Sequence, residues 1–416
     1  MKFLKISLLI LTSLLLLVAL AAPGLIGPQV EEVWRQQFAQ LQGAENTAYQ
    51  RGWFGAEAGT RLASRDGSTG LHSDIQHGPV LFTARGPRVG VMYSETRLAV
   101  DRLAPGLRAR LEKIYGPLDH SPVVLESLVG ADNKVRNIVR LEPFTRSDNG
   151  GELRFEGARI VLESDYQGSS VAGTLAIGAV QRRQFALDKF VSEPVRGSFR
   201  FVPGQSGELS LELPQLKADS DAGPLEIRDA TLELQARVHD SGNLDIRSDL
   251  QVPQVQSATP VTSLQQQVTL PDISLADLAH FLHALLLVPA PERDWPVVMR
   301  RPLQLRQQAA IQSSNGPTLV DLDIDWRGMP AGMRPAKRAP GQWLQPMVGS
   351  MTLTSAEQAL MQSPLVGQAI TLREYGLLLQ NGDELQMHLE VDRGELRVNG
   401  QQLPPDLFVL ALTGGF

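Results

Sequence analysis

Strict two-residue alternation recurs along most of this chain, and it leaves few folds open. Leu209, Leu211 and Leu213 alternate with Ser210 and Glu212. Leu232, Leu234, Ala236 and Val238 alternate with Glu233, Gln235 and Arg237, and Leu244 and Ile246 with Asp245 and Arg247. Period two with one polar side marks strands in a sheet with one dry face and one wet face. Turn signals come at short intervals: Asp148-Asn149-Gly150-Gly151, Pro203-Gly204 and Asp240-Ser241-Gly242-Asn243. Loops that short predict antiparallel neighbours joined as a meander from Pro122 to Leu270. The same texture runs from Tyr49 to Val100, with a turn at Gly78-Pro79. Glycine (37) and proline (27) are plentiful and aromatics only 6 %, as many short strands with frequent turns require.

A few helices interrupt the strands. Pro28 to Gln42 carries Val30, Val33, Trp34, Phe38 and Leu41 at helical spacing, with Gly43 as its stop. Its apolar face is expected to pack on the body; the sharper alternative rests Trp34 at a bilayer surface. Pro105 to Tyr115 has the stripe Leu107, Leu111 and Ile114, Pro105 in its first turn and Gly116 at its exit. Ser274 to Val288 is apolar almost all round, with Leu275, Leu278, Leu282, Leu285 and Leu286 on one face and Phe281 widening it. A helix like that must be enclosed, and it is short for a bilayer span, so it is expected in the hollow of a curved sheet. Leu305 to Trp326 predicts a hairpin about Asn315-Gly316. Thr354-Ser355-Ala356-Glu357 reads as a capping box opening a short helix over 355–363. Strands are expected at Ile370 to Gln380, Glu384 to Asp392 and Glu395 to Val398, turning at Asn381-Gly382, Arg393-Gly394 and Asn399-Gly400. Pro289 to Pro302 and Gly328 to Pro346 read as irregular, and Leu407 to Leu412 ends the chain apolar. A faint repeat lays Leu153 to Glu163 over Leu225 to Gln235 and Ile370 to Gln380, as a strand-turn-strand unit.

The N-terminus carries a nearly pure Leu, Ile, Val and Ala run from Leu8 to Ala22, behind Lys2 and Lys5. A helix needs about 20 apolar residues to cross the hydrocarbon core, and Ile6 to Ile26 supplies that length. Lysines on one side only hold the N-terminus in the cytoplasm and place the body outside. The competing reading is a cleaved signal peptide with Ala19-Leu20-Ala21 at the cleavage site. Both export the body, and the expected localisation is a bacterial inner membrane with the body in the periplasm. The chain has no cysteine, so neither disulfides nor a thiolate site enter. A net charge of −6 with 20 % charged residues argues against nucleic-acid binding, which asks for a concentrated basic surface.

Candidate chemistry is sparse. Asp277, His280 and His283 share a stripe of one helix, a spacing that metal sites use, but leucines and alanines surround them and no third strong ligand is fixed nearby. A polar stripe satisfied by backbone is the expectation. His77 on its turn has no partner visible in the sequence. Asp321, Asp323 and Asp325 fall on one strand face, as a solvated face would, without the loop pattern of a calcium site. Arg300, Arg301, Lys337 and Arg338 could meet anionic head groups, but no polybasic cluster of the usual size is present and ordinary solvated loops are the expectation. Phosphate loops, zinc-protease helices and nucleophile elbows are missing from the sequence.

Three short patterns carry a resemblance. Tyr49, Arg51, Gly52 and Phe54, then Ile75, His77, Gly78 and Pro79, then Asn381-Gly382 and Gly394 through Val398, Asn399, Gly400 and Gln401 resemble the YdgA-like family of bacterial envelope proteins. Gly55-Ala56 stands where members often carry Ser. The resemblance implies an uncleaved N-terminal membrane segment, offers no catalytic residues, and makes Arg51, Gly52, Phe54, His77, Gly78, Pro79, Asn399 and Gly400 the positions of interest.

The expected architecture is mainly β with some α (α+β): an extended, curved antiparallel meander packed on a few helices after a transmembrane helix. Three segments are expected: an anchor over 1–27, a β-rich body over 28–270 with two early helices, and a continuation over 271–416. The expected function is that of a non-enzymatic envelope protein, with no cofactor and no metal. Its sheet encloses a lipid-like ligand in an apolar groove at Leu278, Phe281, Leu282 and Leu285. The alternative is an envelope scaffold whose core is filled by its own helices and which binds another envelope protein.

Overall fold

The computed structural model describes residues 22–32, 34–35, 43–64, 67–83, 85–148, 150–184, 187–220, 223–278, 300–329 and 344–405. The chain divides into two compact units: Met1–Leu187 with Pro194–Phe201, and Asp188–Glu193 with Val202–Phe416. Both are antiparallel meanders, as the alternation predicts.

In the first unit the sheet order is β1 (Ala44–Arg51), β2 (Gly55–Ser64), β3 (Gly67–His77), β5 (Gly86–Leu98), β6 (Val123–Gly130), β7 (Lys134–Leu141), β10 (Ala158–Asp165), β11 (Val171–Ile177) and β14 (Val195–Val202). β4 (Val80–Thr83) folds back on the first residues of β5 as a hairpin. β8 (Phe144–Asp148), β9 (Gly151–Phe155) and β12 (Val180–Gln184) form a ribbon in the order β8-β9-β12. The helix Pro105–Tyr115 matches its predicted bounds, with Pro105 in the first turn and Gly116 leaving at φ 81°. Tyr115 meets Phe144 edge-on at 4.9 Å between ring centres.

Residues 22–32 and 34–35 are helical, so this helix begins before Pro28, earlier than the periodicity predicts. Its buried Val30 and Trp34 pack on Ala56, Ala58, Ile75 and Met92. The sheet beneath is paved with small side chains, Ala56 and Ala58 on β2 and Ser73 and Ser94 on β3 and β5, all buried. Small residues let the helix approach closely, and dispersion contacts rise steeply with approach. Trp34 lies in this core, which answers the choice between core and bilayer surface in favour of the core.

The second unit runs β13 (Leu187–Ser192), β15 (Ser206–Ser220), β16 (Gly223–Val238), β17 (Leu244–Val252), β19 (Val261–Ile273), β20 (Leu303–Ser313), β21 (Gly316–Trp326), β22 (Met347–Ala356), β24 (Glu384–Asp392), β25 (Glu395–Val398) and β26 (Gln401–Leu403). β18 (Gln254–Ser257) pairs with the first half of β16, and β23 (Leu379–Asn381) with the start of β24. The predicted hairpin at Asn315-Gly316 is present. Arg393 and Gly394 take φ 50° and 95°, and Asn399 and Gly400 take 50° and 78°; paired positive angles match the twist of a two-residue hairpin.

One end of this unit has a closed core. The helices Glu357–Met361 and Val366–Glu374 place Leu360, Ala369 and Leu372 against Leu385, Met387, Val391, Leu396 and Val398.

Three sequence readings are corrected here. The strand expected at Ile370 to Gln380 is the helix Val366–Glu374 and then the short β23. Four residues, Ile370 to Arg373, alternate for too short a stretch to separate period two from helical spacing, and burial of Ala369 and Leu372 three apart decides for the helix. Thr354 caps no helix: it lies in β22 opposite Gln386, and Ala356 precedes the helix without a side-chain cap. Glu357 instead pairs with Arg373 at 2.7 Å. The repeat dissolves, because its three copies take three conformations: two strands broken at Gly157, one strand β16 with Asp229 at φ 53°, and a helix.

Candidate functional site

Two places draw the sequence-predicted residues together, one in each unit. In the first unit, β1 ends at Arg51 and β2 begins at Gly55, so Gly52, Trp53 and Phe54 form the connecting turn, closed by the Gly52 N–H on the Gly55 carbonyl at 2.7 Å. The His77 N–H reaches the Phe54 carbonyl at 2.9 Å, and the Gly78 N–H the Val91 carbonyl at 2.7 Å. Arg51, Gly52, Phe54, His77, Gly78 and Pro79 therefore share one end of the sheet. A Cβ on Gly78 would lie 1.8 Å from the Gly90 carbonyl oxygen, so glycine is required there by close backbone approach.

The N-terminal helix completes this end. A Cβ at Gly27 would meet the His77 ring at 3.0 Å, and one at Gly24 the Trp53 ring at 2.7 Å. Glu31 pairs with Arg35 at 2.9 Å and with Arg51 at 3.1 Å, and the Arg35 guanidinium lies over the Tyr49 ring at 5.8 Å. Burial, then the Glu31 charge, pushes the Tyr49 hydroxyl up to about 12, so it stays a neutral phenol.

His77 is 2 % exposed, and neither ring nitrogen makes a well-formed hydrogen bond among the described residues. Burial holds its pKa below the usual imidazole value; the Trp53 backbone offsets part of this, and the Arg51 charge adds to it. The fold thus keeps a neutral imidazole, while the unfolded chain binds a proton below about pH 6.5. This contribution to stability is complete above that pH and is lost as pH falls from there toward the depressed folded value. The expected result is a urea midpoint that falls between about pH 7.5 and about pH 5.5 in the parent and falls less in His77→Gln. Equal slopes in the two proteins would remove His77 as the cause. Tyr49 remains protonated and Arg51 is held by Glu31, so neither serves as a nucleophile or base beside the ring.

In the second unit Asn399 is structural. Its side-chain amide donates to the Leu377 carbonyl at 2.9 Å, and its oxygen accepts the His388 N–H at 2.8 Å, tying the exit of the helix Val366–Glu374 to β24. Leu278 is the last described residue of a helical stretch that begins at residue 275, and it packs against Ile246, Leu270 and Ile273. Ser274 caps that turn through Asp277, whose carboxylate faces Arg301 at 3.4 Å. Phe281, Leu282, Leu285, His280 and His283 lie outside the described residues, as do Lys337 and Arg338. Among the described residues no group of three or more His, Cys, Asp or Glu could hold a metal ion.

The wider feature of this unit is its two-faced sheet. Leu211, Leu232 and Leu250 stand opposite one another across β15, β16 and β17; the row then passes through the polar Gln266 of β19 and resumes with Ala309, Val320, Leu353 and Met387. Leu209 and Leu234 form the adjoining row on that face. These leucines are half-buried. The opposite face carries Asp249, Gln267, Gln308, Asp321 and Thr352 in a single row. It forms a trough of about 600 Å³. Asp321, Asp323 and Asp325 share this polar face as their spacing predicts, with Arg306 3.4 Å from Asp323.

Sequence reasoning missed Gly24, Gly27 and Glu31 as partners of the His77 end, and it missed the β4–β5 hairpin. Small residues three apart at Gly24 and Gly27, and Val80, Phe82, Val89 and Val91 about Arg85-Gly86, were the available signals. Among the described residues no helix is long and apolar enough to cross a membrane, and the run up to residue 21 lies outside them.

These features define a class of protein, an antiparallel meander with a helix docked on the strands of one unit and a two-faced run of strands in the other. A family model described as "Bacterial protein of unknown function (DUF945)" matches residues 1–321 of the 416. The chain belongs to that bacterial family. No curated protein and no solved structure matches it.

Proposed function

We propose that this is a non-enzymatic, membrane-anchored protein of the bacterial envelope that holds a lipid-like apolar ligand against the sheet of its second unit. The supporting observation is the leucine face: Leu209, Leu211, Leu232, Leu234 and Leu250 line one side of neighbouring strands and remain half-buried. Contiguous apolar area that the fold leaves partly open is the usual mark of a binding surface. The apolar run Leu8 to Ala22 behind Lys2 and Lys5 serves as an uncleaved inner-membrane anchor, with the body in the periplasm. The YdgA-like resemblance supports the same arrangement.

A scaffold is the second reading, favoured by the closed core at Leu385, where the chain's own helices fill one end of the unit. Native mass spectrometry of the full-length protein, extracted in mild detergent, separates the two. The expected result is a co-purifying phospholipid mass that is lost in Leu232→Asp/Leu250→Asp and kept in Glu233→Ala/Gln235→Ala on the opposite face. A parent that carries no lipid overturns the ligand reading and leaves the scaffold.

A further inference from the structure

We infer that the β4–β5 hairpin, with the neighbouring β1–β2 turn, is a second membrane contact that seats the first unit on the lipid surface beside its own anchor. In β4 and β5, Val80 stands opposite Val89 and Phe82 opposite Pro87, so their side chains share one face. Phe82 and Val89 are 71 % and 72 % exposed, and Val80 and Val91 are exposed beside them. Leu81, which points to the other face, is fully buried. An alternation that buries one leucine and presents valines and phenylalanine to the outside inverts what a water-facing hairpin needs. The hairpin is also held firm: the Gln76 amide donates to the Phe82 carbonyl at 2.9 Å and accepts the Phe82 N–H at 2.8 Å.

Trp53 and Phe54, 59 % and 57 % exposed, lie in the turn whose Phe54 carbonyl receives the His77 N–H next to the hairpin. Gly24 abuts the Trp53 ring. At about 1.5 Å per helical residue, Gly24 is only about 3 Å along the helix from the end of the apolar run at Ala22. A body aromatic fixed at that point sits at the depth where tryptophan concentrates in bilayers. Arg85, exposed at the tip of the same hairpin, complements anionic headgroups, whereas Arg88 stands opposite Leu81 on the other face. Lipid bilayer therefore fits the apolar face of the hairpin and the charge at its tip.

The inference rests on the anchor reading, and its test keeps the two apart. The chain has no cysteine, so single cysteines can be labelled cleanly. Full-length Phe82→Cys, Val89→Cys and Arg102→Cys, each carrying an environment-sensitive dye, are placed in nanodiscs of phosphatidylcholine and phosphatidylglycerol with brominated acyl chains. Arg102 is 72 % exposed and follows the far end of β5. Strong quenching at 82 and 89 with none at 102 is expected. Retention in the nanodisc with all dyes unquenched overturns the contact and leaves the anchor standing. Failure of the unlabelled parent to remain in the nanodisc overturns the anchor and the contact with it. Shielding of the dyes at 82 and 89 from an aqueous quencher, without lipid quenching, assigns the face to a protein partner and overturns the lipid assignment.

Discussion

Gly78→Ala is expected to unfold the first unit or detach its β4–β5 hairpin. The added Cβ would lie 1.8 Å from the Gly90 carbonyl oxygen, 2.9 Å from the Gly90 carbonyl carbon and 3.1 Å from the Val91 Cα. All three are backbone atoms, so no side-chain rotation relieves the clash. The strands are clamped on both sides of it, by the Gly78 N–H on the Val91 carbonyl at 2.7 Å and the Gly90 N–H on the Pro79 carbonyl at 3.1 Å. Relief therefore breaks those bonds and exposes Leu81 and His77. Ordinary overpacking costs about 1–3 kcal/mol, and a backbone collision that also strips hydrogen bonds is expected to exceed about 3 kcal/mol. Urea unfolding followed by far-UV circular dichroism checks it; a midpoint equal to the parent's would show that the approach at Gly90 is looser than the structure has it. A dye at position 82 reports separately whether the hairpin alone has come away.

Leu385→Ala is expected to cost the second unit about 2–5 kcal/mol, the range for a buried leucine truncated in a packed core. Leu385 is 0 % exposed and is enclosed by Leu372, Leu377, Leu396 and Val398 within the helix-covered core. Rigid strands on one side and two short helices on the other leave little to collapse into the space, which keeps the cost in that range. Leu365→Ala is the comparison: Leu365 is 56 % exposed, and its truncation should change stability by less than about 0.5 kcal/mol. Limited proteolysis of the C-terminal hairpins, together with thermal melting, separates the variants. A Leu385→Ala protein that resists protease like the parent would mean this core does not hold the hairpins in place.

Both large effects sit where local pattern and long-range packing meet. Leu385 belongs to a strand, Glu384–Asp392, that alternation and Asn381-Gly382 predict to within a residue. Gly78 belongs to a turn that Gly-Pro predicts, but only the fold shows that the Gly90 carbonyl occupies the space a side chain would need. The N-terminal helix divides the same way. Its 3.6-residue stripe marks Val30 and Trp34 as core, yet Gly24 and Gly27 become meaningful only once Trp53 and His77 stand against them. Arg51, Gly52, Phe54, His77, Gly78 and Pro79 assemble at one sheet end, whereas Asn399 and Gly400 serve a hairpin of the other unit. A short motif records that a position is special without saying what it touches.

What the sequence determined by itself is the antiparallel meander, its many turns and the helix Pro105–Tyr115. Each follows from information carried within a dozen neighbouring residues: alternation, paired positive-φ turn residues, and a proline and a glycine at the two ends of a helix. Tertiary structure alone decided the rest. Ile370 to Arg373 fit strand and helix equally until burial of Ala369 and Leu372 three apart favoured the helix. In the β4–β5 hairpin, too, only the packing shows that Leu81 is the enclosed side chain and that Phe82 and Val89 are left exposed. Alternation says that one face of a strand differs from the other, but which face is enclosed depends on what packs there, and the packing partners come from elsewhere in the chain.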